Sequence, residues 1–180
     1  MSPLRPPTEC AQRCLQLLRD VDKGDWQVLG VAGESGAGKT TLARAIVDVV
    51  NDHAVLVHQD EFFFLPPAEN HQARLADLGH VGPGEVDVDA LLQKVTTLRA
   101  MGRRVVVEGT YVMRHDAGIY DARVFIDRTF QQTQQDRRRR GRDAMDPFVE
   151  EVLAIEQPLI RAFAARADIV VDDSFCPRLS

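Results

Sequence analysis

Long apolar runs, paired cysteines and low-complexity tracts are all missing from this sequence, and each absence narrows its chemistry. No stretch approaches the roughly 20 apolar residues that a membrane-spanning helix needs. The segment Met1–Thr8 is polar and proline-rich and lacks the apolar centre of a secretory signal. Three cysteines, Cys10, Cys14 and Cys176, cannot build a disulfide framework. Cys10 and Cys14 have helical spacing, but no second pair or nearby histidine completes a zinc site, so buried or half-buried thiols are expected. The five histidines form no close cluster and none is read as a metal ligand. A net charge of −5 gives no general affinity for nucleic acid. These exclusions point to a soluble cytoplasmic protein.

What is present is an alternation of strand and helix patterns. At 180 residues the chain has room for one well-packed domain. Helical periodicity is expected at 9–20, within an N-terminal extension over 1–24, then at 39–50 and 88–101 and, more weakly, at 68–78. Two further helices are expected at 130–140 and 146–166, the second interrupted or kinked near Pro158. Short apolar runs at 26–32, 54–58, 104–108, 122–127 and 169–171 read as strands. Continuously apolar strands separated by helices predict an α/β fold: a five-stranded parallel sheet with helices on both faces.

The most specific motif follows the first of these strands. Gly33-Glu34-Ser35-Gly36-Ala37-Gly38-Lys39-Thr40 matches G-x-x-x-x-G-K-[S/T] at every fixed position. Glycines let such a loop curl until its N–H groups converge on phosphate oxygens, and the following helix adds the positive end of its dipole. Lys39 would supply a point charge to the outer phosphates and Thr40 an oxygen to Mg²⁺, and Thr41 is counted with them among the nucleotide-binding residues. The expected ligands are therefore ATP and Mg²⁺. A G-x-G-x-x-G dinucleotide fingerprint is absent. So is the guanine-reading N-K-x-D, since Asn51 and Asn70 are the only asparagines.

Two carboxylates end consecutive strands, Asp60 in VLVHQD and Glu108 in RVVVEG. In open parallel sheets the ligand crevice lies beyond the carboxyl ends of the strands. Asp60 could there take a proton from an attacking hydroxyl. Glu108 could hold a magnesium-bound water or the acceptor. Each alone could equally cap the segment that follows it.

GESGAGKTTLA, HQDEFF, VDALL, VVVEGTYV and EQPLIRAFAARADIVV, in this order, resemble the uridine kinase family and its relatives, which include nicotinamide riboside kinases. The resemblance spans about residues 28–172. It implies a P-loop kinase domain with a mobile lid at about 136–147 and an acceptor-side segment at about 61–86. It also implies transfer of the ATP γ-phosphate to a primary hydroxyl, with Asp60 matching the catalytic base. Uridine kinases of the family carry a β-hairpin before the VEG strand that recognises uracil, and this chain leaves no room for it. Where their lid helix holds arginines it reads Gln131-Gln-Thr-Gln-Gln135, with the cations displaced to Arg137–Arg140 and Arg142.

That arginine run has three readings: a lid folding over the triphosphate, a solvated helix end, or a patch for phosphate backbones. The lid reading assigns Arg138 to catalysis beside Asp60, Lys39 and Glu108. Phe62 and Phe63, with Tyr111 and Arg114, are candidates for the acceptor pocket. The expected activity is an ATP-dependent small-molecule kinase acting on a nucleoside, riboside or similar alcohol. A P-loop ATPase or regulatory nucleotide-binding module is the alternative.

Overall fold

Strand β1, Val28–Gly33, is buried at every position, as the centre of a doubly covered sheet requires. It is flanked by β3 (Arg104–Glu108) and β4 (Ala122–Ile126), with β2 (Ala54–His58) and β5 (Ile169–Val171) outside them. All four of these pairings are parallel. The computed structural model describes residues 5–51, 54–115, 118–133 and 147–180. Arg138, the rest of the arginine run and most of the segment expected as a lid lie outside the described residues, as does the helix expected beyond residue 133.

Alternation along the strands sorts the core into two layers. Leu29, Val31, Val106, Val124, Ile126, Ile169 and Val171 face helices α1 (Pro7–Asp20) and α2 (Lys39–Val50). Val28, Ala32, Val105, Val107, Phe125 and Val170 face the other way, against α4 (Val88–Ala100) and α5 (Pro147–Arg161). Helix α3 (Pro67–Ala76) stands apart from both layers, over the carboxyl ends of the strands. Cys10 and Cys14 are fully buried thiols in the α1 layer, as expected.

The structure extends the sheet by one strand. The expected five parallel strands are joined by β6, Pro177–Leu179, antiparallel to β5. Three residues that include a proline and an arginine give no strand signal, and a proline opening an edge strand is where the sheet tolerates one. The first strand begins at Val28 rather than Trp26, whose buried indole lies under the Arg104 guanidinium, 5.1 Å from the ring centre. Helix α5 contains Pro158 and ends at Arg161, short of the expected 166, before a 3₁₀ turn at Ala164–Arg166. Three residues separate α4 from β3, so no hairpin stands between them.

Parallel register brings the carboxyl ends together. His58 pairs with Glu108 across β2–β3, and Val31 pairs with Glu108 across β1–β3. Just beyond, Gly109 lies so close to the Gln59 side chain that a Cβ there would overlap it. Gln59 is buried, accepts the Tyr111 N–H at 2.8 Å, and precedes Asp60. Gly109→Ala should therefore displace the Asp60 turn. We expect a loss of about 1–3 kcal/mol by chemical denaturation, the usual cost of overpacking, together with reduced activity.

Candidate active site

The loop from Gly33 to Gly38 leaves β1 and enters α2 at Lys39. Gly36 and Gly38 adopt φ of +77° and +104°, where only glycine is unstrained. Gly38 is doubly constrained, since a Cβ would meet the Phe175 ring at 2.5 Å. The Lys39 ammonium donates to the Glu34 carbonyl at 3.0 Å, which holds it across the loop. Thr41 is exposed on the first turn of α2.

Glu34 has a side-chain task that the motif does not announce. Its carboxylate is buried and accepts the Phe130 N–H at 2.7 Å, Gln157 Nε2 at 3.0 Å and Arg161 Nε at 3.2 Å. The side chain thus ties the loop to α5 and to the helical turn at residue 130, leaving only the backbone of Glu34 for phosphate.

Thr40 and Glu108, both expected near magnesium, meet directly. Thr40 Oγ1 donates to Glu108 Oε1 at 2.9 Å, and His58 Nδ1 lies 2.7 Å from the same oxygen. His58 escaped the sequence reading because its relation to Glu108 comes from strand register alone. A hydroxyl and a carboxylate beside a phosphate loop form a hard-oxygen donor pair that suits Mg²⁺. Among the described residues no group of three or more His, Cys, Asp or Glu side chains could hold a metal alone. Magnesium bound with a nucleotide needs only one or two protein oxygens, so the pair fits.

Asp60 follows β2 on a 3₁₀ turn, Gln59–Phe62, and opens to solvent at the edge of a cavity of about 370 Å³. Partial loss of hydration pushes its carboxyl above the ordinary carboxylate value. Lys39 opposes that shift, Glu108 adds to it, and His58 and Arg74 oppose it. Ser35 of the phosphate loop lines the same cavity. The Gly33–Gly38 loop and the Asp60 turn therefore open on one cavity.

The aromatic candidates divide. Phe63 lines the cavity, Phe62 packs against the apolar layer under α4, and Phe64 is 62% exposed. Tyr111 lines the cavity, while Arg114 is exposed on a 3₁₀ turn and is not among the lining residues.

The remaining wall is a polar network that the sequence did not reveal. Arg74 on α3 forks onto the buried Glu85 carboxylate through Nε and Nη2, and its Nη2 also reaches Glu156 on α5 at 3.2 Å. Tyr111 Oη donates to Glu156 at 2.8 Å. Asn70 Nδ2 donates to Glu85 at 3.0 Å, and its Oδ1 lies 2.9 Å from His80 Nε2. Burial pushes the Glu156 carboxyl up while Arg74 and the Tyr111 hydrogen bond restrain it. The Tyr111 phenol is driven far above its usual value by burial and by Glu156, so it stays a donor. The only signal in sequence was the spacing of Asn70 and Arg74 on one helix face.

A family profile gives the wider context. The Phosphoribulokinase / Uridine kinase profile matches residues 28–117, from β1 through the turn after Tyr111. The chain belongs to this family. A uridine kinase of Geobacillus kaustophilus is 25% identical, over 81% of this chain and 85% of that protein. One from Lactiplantibacillus plantarum is 23% identical, over 81% and 86%. A solved structure of a possible uridine kinase from Bacillus stearothermophilus shares the fold at a TM-score of 0.56, with 16% identity over 90% of this chain and 97% of that one. Membership makes this protein a small-molecule phosphotransferase built on a P-loop kinase fold.

The Arg74 fork is a sensitive point in this arrangement. Removing the guanidinium leaves Glu85 and Glu156 buried without their cation. Arg74→Met should lower stability by about 3–5 kcal/mol in a denaturant titration, the range seen when one partner of a buried ion pair is deleted.

Proposed function

We propose that this protein is an ATP- and Mg²⁺-dependent kinase that phosphorylates a primary hydroxyl of a small, hydroxyl-rich acceptor of the nucleoside or riboside class. The observation that carries this reading is Asp60, set at the edge of a cavity that shares Ser35 with the phosphate loop. An ATPase or a regulatory module has no use for such a second chamber.

In this reading the loop N–H groups and Lys39 hold the outer phosphates, and Thr40 and Glu108 hold Mg²⁺, whose role is to offset charge on the transferring group. Asp60 accepts the hydrogen bond of the acceptor hydroxyl and takes its proton as the new O–P bond forms and the bond to ADP breaks. A carboxyl displaced upward from the ordinary range is better matched to that proton transfer. Phe63 offers a ring face to a planar substituent. The wall of α3 and α5 excludes water from the hydroxyl. The arginine run supplies the lid, with Arg138 its proposed catalytic member.

The acceptor is set apart from uridine by the missing hairpin. We expect uridine and cytidine to be slow and another riboside, of the nicotinamide type, to be preferred when the three compete for limiting ATP. Uridine monophosphate as the dominant product, at about 1 s⁻¹ or faster, would contradict this.

Lys39→Ala should fold normally yet release no acceptor-dependent ADP. Asp60→Asn should reduce turnover about 10²-fold or more with little change in ATP affinity. The base must be ionised to work, so kcat/KM of the unaltered enzyme should fall as pH drops through a value above the ordinary carboxylate range. Asp60→Asn should abolish that acid limb. An unchanged acid limb in Asp60→Asn assigns the base elsewhere. ADP release indifferent to every acceptor would favour the ATPase.

A further inference from the structure

Two carboxylates, Asp60 and Glu156, line the acceptor cavity against a single arginine or lysine, Arg74. That guanidinium is already engaged by Glu85 and Glu156, and Glu85 is completely shielded from solvent. Among the described lining residues no other lysine or arginine is available to an acceptor. The two carboxylates together more than offset the Arg74 charge, so this guanidinium brings no net positive charge to the cavity.

Glu156 itself is 6% exposed, yet lines the cavity. Among the described residues, both hydrogen bonds it accepts, from Tyr111 and from Arg74, fall on Oε1. A carboxylate has about four acceptor sites, so capacity remains for a hydroxyl, an N–H or a cationic group of the bound molecule. Tyr111 and Arg74 fix the side chain, which makes it a rigid second recognition point beside Asp60.

Accepting the kinase reading above, we infer that Glu156 sets acceptor charge: the cavity takes uncharged or cationic alcohols and rejects anionic ones, such as phosphorylated sugars and hydroxy acids. Glu156 is a specificity-determining residue rather than a proton carrier, since the reacting hydroxyl belongs to Asp60. The step is otherwise unchanged, with the phosphoryl group passing from ATP to the hydroxyl oxygen and the proton to Asp60.

The test compares three ribosides that differ in charge: nicotinamide riboside (cationic), uridine (neutral) and orotidine (uridine bearing a carboxylate). kcat/KM is measured for each with the unaltered enzyme and with Glu156→Gln, which keeps the shape and the acceptor for Tyr111. The unaltered enzyme should favour both uridine and nicotinamide riboside over orotidine by at least about tenfold. Glu156→Gln should shrink the ratio of nicotinamide riboside to orotidine at least about fivefold, chiefly through KM. Orotidine used as well as uridine overturns the inference, and so does a ratio that the variant leaves unchanged. If Glu156→Gln does not fold, the charge order in the unaltered enzyme alone decides. Should no riboside be phosphorylated, the proposed transfer reaction fails, and calorimetric affinities of the same three ligands judge the charge filter separately. The same charge order in binding supports it, and no binding, or tighter binding of orotidine, overturns it.

Discussion

One oxygen atom, Oε1 of Glu108, is the point at which three separate parts of the chain converge. It receives the Thr40 hydroxyl from the first turn of α2 and lies against His58 from β2, while its own residue ends β3. These contacts depend on register. A slip of one residue between β2 and β3 would turn either His58 or Glu108 to the opposite face, because side chains alternate along a strand. The buried valines of β3, Val105 and Val107 toward α4 and Val106 toward α2, oppose such a slip by placing apolar groups on both faces. The hydrophobic core thus fixes where the carboxylate stands, and the carboxylate fixes the loop hydroxyl.

A second set of buried charges performs the same service on the acceptor side. Glu34 binds the phosphate loop to α5, and Arg74 binds α3 to α5 through Glu156 and to the Pro83–Glu85 turn through Glu85. Helix α3 contributes little to the apolar layers, and Asn70 is its only buried residue. Its position therefore rests on directional polar contacts rather than on area removed from water. Such contacts specify geometry well but are costly when incomplete. An element held this way can define a pocket without a large core of its own.

Much of this was legible in sequence, and the reasons are local. The phosphate loop is written in contiguous residues whose backbone requirements only glycine meets. Asp60 and Glu108 could be placed because strand ends in a parallel sheet face one crevice. The network of Arg74, Glu85 and Glu156 could not, since its members lie up to 82 residues apart and none stands in a motif. Glu34 was hidden differently, as an unspecified position inside the motif whose side chain serves packing. Strand β6 was missed because three residues carry too little pattern. Arg114 looked promising for following Glu108, but the 3₁₀ turn at Val112–His115 carries it out to solvent.

The absent hairpin and the polar wall bear on one another. With only three residues between α4 and β3, nothing from that direction reaches over the cavity, and much of its described wall comes from α3, α5 and the turn after β3. These supply Asn70, Arg74, Glu156 and Tyr111, three of them joined through Glu156. A wall of this kind presents charged and hydrogen-bonding groups rather than a surface shaped to one base. Among partly buried charges a unit of charge discriminates more strongly than a methyl group does. A family fold stripped of its base-reading hairpin can therefore remain selective, provided that its buried charges stay balanced without the acceptor and are completed by it.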